Sequence, residues 1–543
     1  MAAAGCSHGT PHGATVVGFA PSAPLPRTRA ERTSYTETST YADVIRFIDS
    51  LQRDNVPFVR QELGRTTEGR VQPLLILSRP SVSTPEQAKA LHRPIVYVQA
   101  NIHAGEVEGK EALLALVRDL ASTSNNVLDS IVLIAIPIYN ADGNERFQSQ
   151  VVNRTEQNGP ARVGQRPNAT MLDLNRDYVK AEAPETRASL AAFEKWNPDV
   201  FVDLHTTDGS FHGYALTYAP SLNPAALTAG AYTTDSLLPE LRRRMQSRDG
   251  FAVFDYGNFD TQYEERDISD TVKSGWYSYD HRPRFGTNYF GLRQRLSILS
   301  EAYSHDPFER RVKSTYAFVH EVLSLVAERG ARIRAIEAAA DSGFARGNFA
   351  LPIPIHSQIT TAPLNVPVVF EVMAHTGDSS LTQPGVPRGF RRTGMMRTQS
   401  MPAYLRFEPV KTRTIPRAWL VPFGDTAAIA LLRLHGIRVE RPGTGMTSAR
   451  VSRFIVDSLR AAPQEFQGHH EMRLSGSWRD TMEELPTDML MVRGDQLQAV
   501  AALYLLDPES DDGLVTWNVF DRELAPGKAF PVWRMIAAPD ASP

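Results

Sequence analysis

Residues 94–106 read PIVYVQANIHAGE, and this stretch decides the fold. Its first half, 94–99, is a short apolar run with no polar face, the pattern of a strand buried on both sides. A brief polar connection follows and ends in His103-x-x-Glu106. From Val107 to Leu120 the apolar positions Ala112, Leu113, Ala115, Leu116 and Leu120 recur at helical spacing, which predicts a helix. An imidazole and a carboxylate therefore stand where a buried strand gives way to a helix. Open α/β sheets assemble their sites at that edge.

Similar runs lie on either side. Residues 74–78, 130–137, 199–204 and 296–300 are short and apolar. Helices are predicted at 41–51, behind the cap residues Ser39 and Thr40, and at 308–334. Strands alternating with helices predict an α/β fold, a central, mostly buried mixed sheet flanked by helices. The texture changes near residue 345. Residues 351–355 and 366–372 read as proline-punctuated strands, which belong at sheet edges. Residues 419–422, then Asp425 as a cap, a helix over 426–434 and Gly436 read as a strand–helix–strand unit. At 543 residues the chain exceeds what one hydrophobic core usually serves. The expected organisation is a disordered tail over 1–36, an α/β domain over 37–340 and a smaller β-rich accessory domain over 341–543.

A net charge of -3 gives no electrostatic reason to expect nucleic acid. The one cysteine, Cys6, excludes an intrachain disulfide and a cysteine-rich zinc site, so any metal must be held by histidines and carboxylates. No apolar run is long enough to span a bilayer. Residues 1–32 contain no stretch with the length of a secretion signal's apolar region.

A second histidine, His205, directly follows the apolar run 199–204. Two imidazoles and one carboxylate hold zinc while leaving a fourth position open, the arrangement of a catalytic rather than a structural site. Glu301 ends the apolar run 296–300, and an ionised carboxylate there needs either an ion-pair partner or a task, such as taking a proton from water. His320-Glu321 and His470-Glu471 lack the second histidine of a helical zinc pair.

The series His103-x-x-Glu106, Asn140-Ala141-Asp142-Gly143, Asp173-Leu174-Asn175-Arg176-Asp177, His205 and Glu301 resembles zinc carboxypeptidases of the carboxypeptidase A type, over residues 40–330. The resemblance implies one Zn2+ per chain on His103, Glu106 and His205, with Glu301 accepting the proton of an activated water. It implies that Asn175 and Arg176 hold the substrate's terminal carboxylate and that Asp173 fixes a zinc histidine. For the arginine facing the carbonyl oxygen Arg154 matches best, with Arg162 and Arg166 as competitors. For the tyrosine that covers the substrate Tyr279 matches best, with Tyr277 and Tyr289 nearby. Asn140-Ala141-Asp142-Gly143 departs from the family's usual Asn-Pro-Asp-Gly. The segments between these motifs align too poorly to place a specificity pocket, for which Asp267 and Asp270 are candidate carboxylates. The implied reaction is hydrolysis of a peptide or amide bond beside a free carboxylate, with a peptide or amino-acid conjugate as substrate. A deacylase or esterase of small conjugates and a non-enzymatic binding protein are the alternatives. The resemblance also implies export to the periplasm or outside, although no signal peptide is visible.

Overall fold

A computed structural model of the chain describes residues 25–536 except 260–272, 348–350, 379, 381–385, 387 and 444–445. Cys6, Asp267 and Asp270 lie outside the described residues. An eight-stranded sheet runs in the order Val59–Arg65, Val71–Leu77, Val132–Ile136, Ile95–Ala100, Val200–Thr206, Leu296–Ala302, Leu216–Pro220, Val253–Asp255. Its four central strands are mutually parallel and its outer pairings are mostly antiparallel, so the sheet is mixed, as expected.

Alternation along these strands sends side chains to two separate cores. Val96, Val98, Val202 and Ile298 pack against Leu113 and Leu116 of the helix Glu108–Ser122 and Phe318 and Val322 of the helix Phe308–Ala345. Tyr97, Ile134 and Phe201 face the other way, against Phe193 and Trp196 of the helix Pro184–Trp196 and Tyr289 and Phe290 of the helix Gly286–Leu292. At the N-terminal end Thr40 caps the helix Tyr41–Arg53 reciprocally with Asp43.

Three expectations change. Residues 25–36 are not tail: Thr28 caps a one-turn helix, Arg29–Arg32, and Ala30 is buried against Val107, Phe308 and Val312. The helix begun at Phe308 runs on to Ala345, because Asp341 pairs with Arg295 at 2.8 Å and Phe344 reaches a second core. After the helix Thr426–Leu434 the described residues make only a bridge at Glu440 before the strand Ser448–Ala461, so among them the strand–helix–strand unit lacks its last member.

The C-terminal region is β-rich. Five strands form a sheet in the order Met472–Glu484, Ser448–Ala461, Trp533–Met535, Ala418–Pro422, Met489–Arg493. Its core takes in Val179, Ala225 and Leu292 from the first half of the chain. A three-stranded sheet combines Leu364–His375 and Phe390–Tyr404 with Trp276–Tyr277. The proline-bearing strand Leu364–His375 occupies an edge of it, as its sequence predicts.

Candidate active site

The loop after the Ile95–Ala100 strand is bent by Asn101, whose φ of 65° lies in the left-handed region that Asn tolerates. Its side-chain amide donates to the carbonyls of Ala104 and Glu106 at 3.3 and 3.4 Å, closing the turn that brings His103 and Glu106 together. Asn140 buttresses the same loop from below, donating to the carbonyls of Ile102 and Arg166 at 3.1 and 3.2 Å. The segment after Asn140 is a short helix, Ala141–Glu145, capped by Asn140, and its Asp142 ties down Thr66, the backbone of Glu68 and Arg70. Gly105 is required by packing: a Cβ there would come within 2.8 Å of Arg154 Cγ and 2.9 Å of the Gly164 carbonyl.

His103, Glu106 and His205 converge, buried, with one ligand atom from each within 4.8 Å of the others. His103 Nδ1 lies 3.0 Å from Glu106 Oε1, His205 Nδ1 lies 3.0 Å from Glu106 Oε2, and the two Nδ1 atoms are 3.2 Å apart. The opposite ring nitrogens are both backed by carboxylates. His103 Nε2 is 2.9 Å from Asp173 Oδ1, and His205 Nε2 is 3.1 Å from Asp203 Oδ2. A proton on each Nε2 leaves both Nδ1 lone pairs pointing at one another beside a carboxylate. That arrangement is repulsive without a cation and fits zinc well. Asp203 was legible and missed: two residues before His205 on a strand, it shares that histidine's face.

Glu301 is the penultimate residue of the strand Leu296–Ala302, in register with His205, the penultimate residue of its parallel neighbour. The two side chains therefore leave the sheet on the same face. Burial pushes the Glu301 carboxyl well above its ordinary range; His205 opposes this, and the charges of Glu106 and Asp208 add to it. A dication among the three ligands would draw it back down. Among the described residues no hydrogen bond ties its carboxyl group. Burial acts on Glu106 too, but His103 and Arg154 outweigh it and hold that carboxylate well below the usual range.

Arg154 and Arg166 both reach Glu106 Oε1, at 3.0 and 3.4 Å. The Arg154 side chain is 5% exposed and also donates to the carbonyls of Thr206 and Thr207, whereas that of Arg166 is 35% exposed and pairs with Asp173 at 2.9 Å. Arg162 is not brought in; it bonds the Phe147 carbonyl on an exposed hairpin.

Asn175 and Arg176 lie on a short turn, Leu174–Arg176, capped by Asp173. Asn175 Oδ1 accepts from the Gly286 backbone at 2.9 Å, which turns its NH2 group outward. The Arg176 guanidinium lies 3.9 Å above the Phe285 ring, and burial lowers its pKa. Tyr279 is buried, its hydroxyl pushed well up by burial and by the nearby charges of Glu301 and Asp203. Tyr277 instead stacks on Tyr404, and Tyr289 bonds His435 at 2.7 Å inside the core. Tyr256 is a further aromatic at this site; it donates to Asp208 at 3.0 Å and packs edge-on to Tyr279. No local pattern in the sequence marks it.

Residues 44–288 match the family model described as zinc carboxypeptidase. The chain carries a zinc carboxypeptidase domain. The domain is of the metallocarboxypeptidase hydrolase type, its metal is zinc, and His103, Glu106 and His205 form the group able to hold it. Carboxypeptidase 2 of Trichophyton rubrum is 23% identical over 499 residues, covering 90% of this chain and 85% of that protein. Human carboxypeptidase D is 31% identical over 159 residues, which are 27% of this chain and 10% of that protein. A metallo-carboxypeptidase structure from Burkholderia cenocepacia aligns with a TM-score of 0.38 at 22% identity, covering 53% of this chain and 69% of that one. Among the described residues no helix is long and apolar enough to cross a membrane.

Proposed function

We propose that the carboxypeptidase domain removes a residue from the carboxyl end of a peptide, or cleaves an amide beside a free carboxylate, with Glu301 as the proton carrier. The observation that carries this reading is the pairing of two lone-pair-bearing imidazoles and Glu106 with a buried Glu301 on the adjacent strand. Zinc, when held by His103, Glu106 and His205, supplies a Lewis acid that polarises a carbonyl and acidifies water. Glu301 takes one proton from the attacking water and delivers it to the leaving nitrogen as the carbon–nitrogen bond breaks. Water's remaining OH becomes part of the new carboxyl group. Arg154 donates to the carbonyl oxygen as charge develops there. Asn175 and Arg176 hold the terminal carboxylate through directional, charge-assisted hydrogen bonds, and Tyr279 covers the substrate.

Residues 25–345 are proposed as the catalytic unit and the β-rich region that follows as an accessory region. A peptide substrate is supported by the names of the relatives, carboxypeptidase 2 and carboxypeptidase D. Export is proposed from the same kinship and is tested by fractionating the producing cells.

The test is Glu301→Gln assayed on a peptide panel beside metal analysis. The expected result is bound zinc with turnover lowered by about 10²–10⁴-fold. Wild-type turnover in that variant overturns the mechanism.

A further inference from the structure

The clamp stands on a floor built by the distant end of the chain. Phe285, beneath the Arg176 guanidinium, and Gly286, which bonds Asn175, directly follow Arg284. Arg284 is almost wholly buried and is held by Asp512 three times over. Its backbone N–H donates to Asp512 Oδ2 at 2.7 Å, and Nε and Nη2 donate to Oδ1 at 3.0 and 2.7 Å. Glu471 takes another guanidinium N–H, and the Trp517 ring lies beneath the guanidinium at 4.6 Å. Asp512 is itself fixed by the Trp517 indole N–H at 3.1 Å.

Two further ties reinforce this one. His281, between Tyr279 and Phe285, sits 2.9 Å from Asp511, which also receives the Ser357 backbone at 2.9 Å and the Tyr504 hydroxyl. The hairpin loop 462–470 reaches back to the other wall of the clamp. Gln467 Oε1 accepts from the Asp173 backbone at 2.8 Å across 294 residues of sequence. Asp173 is the carboxylate that backs His103 and caps the Asn175–Arg176 turn.

We propose that the C-terminal region is a working part of the substrate site: Asp512, acting through Arg284, and Gln467, acting through Asp173, are positioning residues that hold the Asn175–Arg176 clamp in its binding geometry. The proposal rests on reading that pair as the carboxylate clamp. Surface acids would not be buried, triply bonded and aimed at one arginine next to the clamp floor. A buried Arg–Asp pair of this kind is a costly way to add stability but an effective way to fix a geometry. Because neither residue touches the reacting atoms, its loss should weaken substrate holding more than the chemical step.

The experiment uses the full chain loaded with zinc and compares Asp512→Asn, Gln467→Ala and Gln467→Glu with the wild type and Arg176→Ala. Each is assayed on one peptide with a free terminal carboxylate and on the same peptide amidated. Asp512→Asn and Gln467→Ala are expected to raise KM for the free acid about tenfold or more, with kcat within about threefold and zinc content unchanged. Gln467→Glu, which keeps an acceptor oxygen, is expected to restore KM. If Asp512→Asn fails to fold, the two Gln467 variants decide the question, because that side chain lies in a loop. Unchanged KM in folded Asp512→Asn and Gln467→Ala overturns the proposal when Arg176→Ala has lost its preference for the free acid. If Arg176→Ala keeps the preference, the clamp reading itself is wrong.

Discussion

Replacing Asp203 by Asn tests the tautomer on which the metal site depends. Asp203 is fully buried, with one oxygen 3.1 Å from His205 Nε2 and the other 3.4 Å from the Gln99 amide nitrogen. The carboxylate is acceptor-only, so at 3.1 Å it favours a proton on Nε2 and an Nδ1 lone pair free for the metal. Asparagine removes that preference. Turned one way its carbonyl still accepts, more weakly because it is neutral. Turned the other way its NH2 donates to Nε2 and drives the ring proton onto Nδ1, the atom aimed at Glu106 and at the metal position. Losses at such backing residues run to about 10–100-fold in metal affinity, or about 1.4–2.7 kcal/mol. The assay is zinc competition against a chromophoric chelator at pH 7, with circular dichroism to establish folding. A folded Asp203→Asn protein whose zinc Kd stays within about twofold of wild type refutes the tautomer reasoning.

Arg154→Ala is expected to lower kcat on a peptide substrate by about 10²-fold or more, and Arg166→Ala by less; the reverse order in steady-state kinetics would move the oxyanion role to Arg166. Gly105→Ala places a methyl within 2.8 Å of Arg154 Cγ and 2.9 Å of a backbone carbonyl. It should cost about 1–3 kcal/mol, read as a lower urea midpoint, and an unchanged midpoint would show that the loop yields freely. Burial lowers the pKa of His212 to about 3 and those of His305 and His435 to about 4. Each folded value lies below the ordinary 6.5, so the unfolded chain binds more protons in that interval. These groups' contribution to stability is complete above pH 6.5 and is lost progressively toward pH 3–4. Urea midpoints should therefore fall between pH 7 and pH 5, and His435→Gln should flatten that fall; identical midpoints at both pH values would contradict the buried neutral imidazoles.

Local pattern alone determined the central strands, the helix after Glu106 and the pair His103-x-x-Glu106, because periodicity and a three-residue spacing are properties of neighbouring residues. The texture change that announces the C-terminal β-rich region is of the same kind. His205 and Glu301 were legible as polar residues at the ends of apolar runs, and Asp203 could have been read from its i, i+2 relation to His205. Their meeting was decided by the parallel pairing of Val200–Thr206 with Leu296–Ala302, a long-range choice made by core packing on both faces of the sheet. The floor of the clamp was invisible for the same reason. Asp511, Asp512 and Gln467 belong to none of the motifs read from the sequence. Only the shared core of Val179, Ala225 and Leu292 with the C-terminal strands brings Asp512 to Arg284 and Gln467 to Asp173. Partners separated by hundreds of residues leave no periodic trace, so tertiary packing decided which buried charges met and the sequence by itself did not.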